Sequence, residues 1–551
     1  MNLADPNEII AVNAALQKRC LQLEADNTAL QDDLRKALAK IAWFEEQLRL
    51  ARHRQFGRSS EKTSPEQGVL FADDAMDTPD DDVPAHDENG IIDQKKRPSN
   101  IKRNQFPLTW PRREIVHDIP AEDKVDTEGN ALKLVGYDTF EQVKVTPAQH
   151  EVIIHKRPKY VFEQADGTTV VRQAPPVNVP LPKSFATPSL LADIITAKFV
   201  EHIPLHRYEQ RCARVDFTLP RATQARWLIR LCAAEGPLAL LVALLLDKMR
   251  TATVLHCDET RFQVFNDHER PNPDASLAYA WLLTAKMVID DQPTTLAYYH
   301  YAASKSAEVI DELLGPFSGY LVTDGYSGFD RLARMRADTE KPITLCGCWD
   351  HARRRFKQAE RALKPKDKRL NLTYQGVALV NKLYRIERDI KDKPPDEKWA
   401  WRQAHSLPAL SRLKDWLDKN QPNVNPKSAL GDAISYTRNQ WDKLTRYVTD
   451  GHIPISNILC EQQAKKFAVG RANWMFANTP AGARASCMLY TLAVTACLNG
   501  VNPFHYFRYI LAVLPTVTSE TDLEALLPWR VDQTVIKDFD EFSLCSANPV
   551  G

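Results

Sequence analysis

Residues 253–262 read TVLHCDETRF, and residues 319–329 read GYLVTDGYSGF. In both stretches an apolar run ends in an aspartate, which is Asp258 in the first and Asp324 in the second. Short apolar runs that stop at turn residues predict buried β-strands, so each carboxylate would emerge at the tip of a strand. These two stretches decide the fold because they predict two strands of one sheet.

Residues 250–365 alternate strand-like and helix-like segments around these two stretches. The predicted order is three strands, a helix, a strand, a helix, a strand and a basic helix. Three adjacent strands followed by strand–helix alternation predict a mixed sheet covered by helices. The first and fourth strands are neighbours in this topology, so Asp258 and Asp324 would converge. The arrangement matches a ribonuclease-H-like α/β core.

A third carboxylate, Glu461, opens a predicted helix in residues 456–471, SNILCEQQAKKFAVGR. Three oxygen donors at one rim, Asp258, Asp324 and Glu461, suit two Mg²⁺ (or Mn²⁺) ions, and an ion pair of this kind serves phosphodiester chemistry. Glu259 would point to the opposite face of the strand, whereas His351 could face the site. The alternative is that both aspartates are ordinary turn residues at strand ends.

Residues 8–52 predict one long helix with a heptad repeat. Apolar residues recur at one heptad position, and apolar residues alternate with asparagine at the other. Six such heptads favour a coiled coil that makes a homodimer or a higher oligomer, whereas the alternative is a single helix packed on its own domain. The positions are Ile9, Leu16, Leu23, Leu30, Ala37 and Phe44, with Asn13, Cys20, Asn27, Leu34, Ile41 and Leu48.

Two further segments separate this helix from the first helices of the middle region. Residues 53–114 form a basic and acidic linker whose composition is typical of disorder. Residues 115–183 alternate strand-like stretches with turn signals and predict a small β-rich module. The chain has 10 cysteines and no C-x-x-C pair, so reduced thiols are expected.

Three short predicted helices fill most of residues 184–248, and the last is basic. They suit a helix-turn-helix in which Arg221 and Arg226 contact DNA, although small helical units often have no DNA role. We also predict DNA contacts for basic residues near the carboxylates, and the alternative is a solvated basic face. These residues are Arg353, Arg354, Arg355, Lys465, Lys466 and Arg471.

The remaining segments complete a multidomain α+β protein. Residues 366–450 predict a helical insertion into the core, residues 451–515 its second part with Glu461 and C-terminal helices, and residues 516–551 an acidic tail. The net charge of +1 does not by itself indicate any class of partner. The 44% of hydrophobic residues can bury a sizeable core. No signal peptide is expected, and the longest apolar run, residues 237–246, is too short for a membrane span. We therefore expect a cytoplasmic protein with no membrane partner.

Several long motifs occur in an order that resembles the transposases of the insertion-sequence 66 family. The resemblance covers about residues 10–515. It implies a ribonuclease-H-like DDE core with Asp258, Asp324 and Glu461 as catalytic, Mg²⁺-binding carboxylates. It also implies binding to terminal inverted repeats and target DNA, help from small accessory proteins of the same element, and nucleoid association. The motifs are FGRSSEK (56–62), HKRPKY (155–160), CDET (257–260), TDGYSGF (323–329), GCWDHARRRF (347–356), VGRANWMFANTPAGARAS (469–486) and LYTLAVTACLNGVNPFHYFRYIL (489–511).

The chain departs from this family in two places. Members usually carry a zinc module with two C-x-x-C pairs, but here the four positions are Val125, Glu128, Phe162 and Ala165. No structural zinc is therefore expected, and Phe162 would pack in its place. Around Glu461, ISNI and QQAKKF replace the usual flanking residues.

Three functions remain open on the sequence. The first is a DDE transposase that cleaves DNA and transfers strands. The second is a ribonuclease-H-like nuclease without strand transfer, and the third is a catalytically inactive DNA-binding protein. The coiled coil and the long insertion favour the first over the second.

Overall fold

The computed structural model divides into two units, one formed by Met1–Met76 with Val177–Gly551 and the other by Asp77–Pro176. Residues 53–56 of the predicted linker belong to the N-terminal helix. The rest of the linker, most of the β-rich module and positions Val125, Glu128 and Ala165 lie outside the described residues, as does the side chain of Phe162. The described residues are 6–56, 150–156, 159–163, 169–173, 179–267, 269, 277–363 and 371–543.

The helices and strands are numbered in chain order. The strands are β1 Lys159–Glu163, β2 Thr169–Gln173, β3 Val254–Phe262, β4 Ala278–Ile289, β5 Gln292–Ala302, β6 Gly319–Thr323 and β7 Ile343–Gly347. The helices are α1 Pro6–Phe56, α2 Pro188–Phe199, α3 Leu205–Ala213, α4 Arg221–Leu231, α5 Ala239–Met249, α6 Ala307–Leu314, α7 Ser327–Arg336, α8 Trp349–Arg361, α9 Leu372–Asp389, α10 Pro395–Asn420, α11 Ala429–Asn439, α12 Trp441–Thr445, α13 Ile458–Trp474, α14 Pro480–Leu498, α15 Pro503–Val513, α16 Glu520–Ala525 and α17 Gln533–Asp538.

The predicted mixed sheet is confirmed. Its strand order is β5-β4-β3-β6-β7, with β3, β4 and β5 antiparallel and β6 and β7 parallel to β3. The middle of β4 is fully buried because Trp281, Leu282 and Leu283 are covered on both faces. β3 and β6 are neighbours, as the sequence predicted for the first and fourth strands.

Helix α14 covers the outer edge of β5. Thr495 Oγ1 lies 3.2 Å from the Ala297 amide and 3.0 Å from its carbonyl, and Thr491 Oγ1 accepts from the Tyr299 amide at 2.9 Å. These threonines satisfy backbone groups that an edge strand otherwise exposes. Among the described helices, α14 alone is long and apolar enough to cross a membrane, and most of it is buried inside the protein.

The buried residues of β4 belong to one apolar core, and a second apolar core lies on the other side of the sheet. Helices α8 to α11 pack there around Phe356, Val380 and Leu413, each fully buried. Helices α9 to α12 occupy the region predicted as a helical insertion. This core supports α8, which follows β7 directly and begins beside the tips of the central strands.

The predicted long N-terminal helix is confirmed as α1. Several of its heptad side chains are more than half exposed, for example Leu23 at 51% and Leu30 at 68%. The C-terminal part of α1 touches the rest of its unit, where Trp43 Nε1 donates to the Lys427 carbonyl at 3.0 Å and Arg49 Nε to the Ala362 carbonyl at 2.7 Å. Packing on its own domain therefore leaves the exposed leucines uncovered.

Two regions differ from their sequence description. In the β-rich module, β1 and β2 form an antiparallel hairpin, but residues 150–156, predicted as strand, have no regular structure. Residues 516–543, predicted as part of an acidic tail, contain α16 and α17, and Leu527 and Ile536 are buried. Isolated apolar residues among acidic ones carry no clear period, which explains why the sequence pattern missed these two helices.

Candidate active site

Asp258 and Asp324 lie on neighbouring parallel strands. The register pairs Leu255 with Leu321 and His256 with Val322. Continuing this register by two residues places Asp258 opposite Asp324, which directly follows β6. Asp258 lies in the middle of β3, so the prediction that it ends its strand is wrong, because β3 continues to pair with β4 as far as Phe262. Adjacent strands run about 4.8 Å apart, so the two carboxylates are neighbours where the pairing of β3 with β6 ends.

Asp324 begins the connection from β6 to α7. Its Oδ1 accepts the amide of Tyr326 at 2.9 Å. An aspartate that bonds to the amide two residues ahead stabilises a tight turn, which ends the strand here. Asp258 Oδ1 similarly accepts the Glu259 amide at 2.9 Å. Each aspartate thus has one oxygen engaged locally.

Asn457 joins the helix of Glu461 to β3, the strand that carries Asp258. Asn457 immediately precedes α13, its Oδ1 lies 2.9 Å from Nδ1 of His256, and its Nδ2 donates to the Cys257 carbonyl at 3.0 Å. In the first turn of α13, Cys460 Sγ lies 3.6 Å from the carbonyl of Leu282, the residue that pairs with Asp258 on β4. The first turn of α13 therefore lies against the strand that carries Asp258.

The Glu461 carboxylate is buried among three polar groups of α8 and its N-cap. Arg354 Nη2 donates to Oε2 at 2.9 Å, and Cys348 Sγ donates to Oε1 at 3.5 Å. His351 Nδ1 lies 3.4 Å from Oε1 without the geometry of a hydrogen bond. The prediction that His351 faces the site agrees with this position. Burial lowers the pKa of His351, so the ring is neutral near pH 7.

The acidic residues at this end of the sheet repel one another. Burial raises the pKa of Asp258 to about 8, and the negative charges of Glu259, Glu461 and Asp324 act in the same direction. A bound divalent cation would attract these negative charges and favour the ionised form of Asp258. Carboxylate oxygens are ligands that suit Mg²⁺. The raised pKa of Asp258 is thus the observation that supports a metal at these carboxylates.

Glu259 has its own counterion. Lys305 Nζ donates to Glu259 Oε1, and the same ammonium lies 3.8 Å from the centre of the Tyr326 ring. Burial raises the pKa of Glu259, and Lys305 opposes that effect. Glu259 Oε1 is therefore paired with a lysine, whereas its buried Oε2 makes no hydrogen bond. The charges that shift the pKa of Asp258 are all negative.

The basic residues predicted to contact DNA occupy three helices. Arg221 and Arg226 are exposed on α4, and Lys465, Lys466 and Arg471 are half-buried on α13. The three arginines of α8 each have a partner inside the protein. Arg353 donates to Asn381 Oδ1 at 3.0 Å, Arg354 pairs with Glu461, and Arg355 lies 3.2 Å from Asp432.

Two residues of the site were not predicted from the sequence. Asn457 fell in a stretch noted only for its departure from the family motif, although asparagine before a helix is a common capping residue. Cys348 precedes His351 by three residues, and this spacing places both side chains on the same face at the start of a helix. The contacts of both residues join positions 109–201 residues apart in the chain.

The chain is similar to known transposase families. The family model described as "Transposase IS66 family" matches residues 183–485, "IS66 C-terminal element" matches residues 491–529, and "Transposase C of IS166 homeodomain" matches residues 43–115. Two relatives come from Sinorhizobium fredii (strain NBRC 101917 / NGR234). Uncharacterized protein y4qI is 27% identical over 94% of both chains, and uncharacterized protein y4jD is 28% identical over 85% of this chain and 89% of its own. No solved structure matches the chain.

Proposed function

Because this chain belongs to the IS66 family of transposases, we propose that it cleaves the ends of an insertion sequence and joins them to target DNA in a Mg²⁺-dependent reaction. Asp258, Asp324 and Glu461 are the proposed catalytic carboxylates, in a ribonuclease-H-like core. The observation that carries this proposal is the register of β3 and β6, with α13 joined to β3 through Asn457. It supports one acidic centre made from three distant parts of the chain.

The protein's own groups would bind and orient the reacting phosphate. Two divalent ions, when bound, would supply activation of the attacking water or 3′-hydroxyl and stabilise the leaving oxygen. Asp258 would hold them from the middle of β3, Asp324 from just after β6 and Glu461 from α13. The buried walls of the site would strengthen these charge interactions, because water screens them less there.

Glu461 must release part of its present environment for this role. Arg354 Nη2 donates to its Oε2. A cation at the carboxylate competes with that guanidinium, so Arg354 would turn toward a phosphate oxygen when DNA is bound. Arginine forms strong paired hydrogen bonds to phosphate, which suits this second position.

Binding to DNA is the second part of the proposal. The family models support a DNA-acting protein, and one of them is described as a homeodomain. Arg221 and Arg226 on the exposed face of α4 would contact phosphates of the inverted repeats, while Lys465, Lys466 and Arg471 would contact DNA close to the carboxylates. Arg353 and Arg355 would also contact DNA after they release Asn381 and Asp432.

Assembly is the third part. The exposed leucines of α1 would form a parallel coiled coil with a second copy of the chain, because a long apolar stripe is unfavourable in water. Two copies would bring two element ends together. Small accessory proteins of the same element would assist, and the protein would act in the cytoplasm on the nucleoid.

A strand-transfer assay tests the proposal. The purified chain is given a pre-cut element end with a free 3′-hydroxyl, a target plasmid and Mg²⁺. We expect joined product from the wild type and none from Asp258→Asn, which should still bind the DNA end. Asp330→Asn is the matched control, because Asp330 lies on α7 and pairs with Lys443 away from the carboxylates.

Each other outcome selects a different function. Cleavage of an uncut element end in a parallel reaction, without joining of the pre-cut end, would identify a nuclease that does not transfer strands. Binding of the end by the wild type with neither cleavage nor joining would identify a DNA-binding protein without activity. Equal joining by Asp258→Asn and the wild type would refute the site.

A further inference from the structure

Beside the proposed catalytic carboxylates lies a second group of metal ligands of different chemistry. Cys348 is the N-cap of α8, His351 lies in its first turn, and Glu461 lies in the first turn of α13. One ligand atom from each residue lies within 4.8 Å of the other two. Sulfur, imidazole nitrogen and carboxylate oxygen together are ligands that Zn²⁺ prefers.

The distances suit a tetrahedral ion. Zinc bonds to sulfur, nitrogen and oxygen place neighbouring ligand atoms about 3.3 to 3.6 Å apart in a tetrahedron. The observed separations from Glu461 Oε1 are 3.5 Å to Cys348 Sγ and 3.4 Å to His351 Nδ1. Two of the three edges therefore already have the length that the metal requires.

The surroundings prepare each ligand. The amide of Asn457 donates to Cys348 Sγ at 3.1 Å, which opposes the effect of burial and of the Glu461 charge, both of which raise the pKa of the free thiol. His351 Nδ1 is buried and makes no hydrogen bond. The His351 side chain is 22% exposed, which gives an ion a path from solvent. Arg354 takes Oε2 of Glu461 and leaves Oε1 to the cysteine and the histidine.

We propose that Zn²⁺ binds Cys348 Sγ, His351 Nδ1 and Glu461 Oε1, with water as the fourth ligand, and thereby inhibits the enzyme. Formation of the zinc–sulfur bond releases the thiol proton to solvent, and no electron is transferred. With Oε1 on zinc, Glu461 keeps only Oε2, and Mg²⁺ at that oxygen would meet both the Arg354 guanidinium and the charge of the neighbouring zinc ion, which weakens its binding. The inhibition, though not the zinc binding, rests on the proposed function of Glu461.

This site differs from a structural zinc module. It contains one cysteine, whereas a ribbon module uses four, and its third ligand is a residue that catalysis also needs. Mg²⁺ does not compete for the sulfur because it is a hard cation that prefers oxygen. The two metals therefore compete for Glu461 alone, and zinc acts by withdrawing it.

Binding is tested with Co²⁺ in place of Zn²⁺ on the reduced, metal-free, full-length protein. We expect a thiolate-to-cobalt charge-transfer band that Zn²⁺ abolishes. The band should persist in Cys346→Ser and disappear in Cys348→Ser, whereas His351→Gln should weaken cobalt affinity by at least about tenfold. Cys346 is a matched control because it is also buried on the same strand end but bonds to the Thr344 carbonyl.

Exposed Cys20 and Cys497 remain in every variant, so any signal from them is common to all. Circular dichroism must show that Cys348→Ser is folded, and His351→Gln gives an independent readout if it is not. Absence of the band in the wild type, or its persistence in folded Cys348→Ser, would overturn the zinc site. This test needs no catalytic activity, so it stands apart from the test of the proposed function.

Inhibition is measured as the ratio of strand transfer with and without Zn²⁺ at fixed Mg²⁺. We expect a large loss in the wild type and Cys346→Ser. Cys348→Ser, compared with its own zinc-free rate, should lose at least about tenfold in zinc sensitivity. Zinc binding with no change in this ratio would refute the inhibitory role.

Discussion

Asn457 Oδ1 lies 2.9 Å from Nδ1 of His256, and this contact connects the helix of Glu461 to the strand of Asp258. Both side chains are buried, and the side-chain Nδ2 of Asn457 also donates to the Cys257 carbonyl. Removal of the Asn457 side chain leaves polar groups of β3 unpaired, at about 1 to 3 kcal/mol for each. This link holds the start of helix α13, and with it Glu461, against β3.

Asn457→Ala should lower both stability and Mn²⁺ affinity. Asn499→Ala is the matched control, because Asn499 joins α14 to β5 by two bonds to Thr295, at 3.1 and 2.8 Å, away from the carboxylates. Urea unfolding should show a loss in both variants, and calorimetry should show weaker Mn²⁺ binding in Asn457→Ala alone. Equal Mn²⁺ affinity in the two variants would contradict the positioning role of Asn457.

The pKa of Asp258 predicts how stability depends on pH. Because its folded pKa of about 8 exceeds the usual 3.8, the folded protein holds a proton that the unfolded chain releases between these values. Stability of the metal-free protein should therefore fall as pH rises from about 4 to about 8, by an upper limit on the order of 5 kcal/mol.

Asp258→Asn removes this dependence. In urea unfolding without metal, the variant should gain stability over the wild type at pH 8 and show no such gain near pH 4. Addition of Mg²⁺ at pH 8 should stabilise the wild type and leave the variant unchanged. A difference in unfolding free energy between the two proteins that is constant across this pH range would show that the pKa of Asp258 is not raised by burial.

Lys305 neutralises Glu259, so removal of the lysine charge should lower the free energy of unfolding through repulsion among the acidic residues. The two side chains are 24% and 12% exposed, and breaking a partly buried pair should cost roughly 2 to 3 kcal/mol. We expect this loss for Lys305→Met in urea unfolding at pH 8. The double variant Lys305→Met with Glu259→Gln should recover most of it, and an equal loss in both would mean that packing over Tyr326 matters more than charge.

The exposed leucines of α1 predict self-association. Leu23→Asp with Leu30→Asp places two charges in the proposed coiled-coil seam and should convert a dimer into a monomer in light scattering. Lys18→Asp, which lies on the outer face of the same helix, should leave the dimer intact. A wild type that is monomeric at micromolar concentration would refute the coiled coil.

The sheet topology was predictable because the apolar strands and their order are local features of the sequence. The shared end of Asp258 and Asp324 followed from that order, and the register agrees with it. Glu461 entered through its motif, because a carboxylate at a helix start has no signal that assigns it to a strand 200 residues earlier. Tertiary contacts of α13, including those of Asn457 with β3 and of Cys460 with β4, make that assignment.

The directions of the α8 arginines were not predictable. Successive helical residues point about 100° apart, so Arg353, Arg354 and Arg355 face three different directions and the sequence does not show which of them faces inward. The structure turns Arg354 to Glu461 and leaves the others to Asn381 and Asp432. Rotation is set by apolar residues such as Phe356, whose partners on α9 and α10 are distant in sequence.

Anomalous diffraction from the protein crystallised with Mn²⁺ and an element end tests the central proposal most directly. We predict two manganese peaks about 3.5 to 4 Å apart, bound by oxygens of Asp258, Asp324 and Glu461, and the loss of at least one peak in Asp324→Asn. Manganese bound elsewhere while these three carboxylates remain without metal, or peaks unchanged by Asp324→Asn, would contradict it.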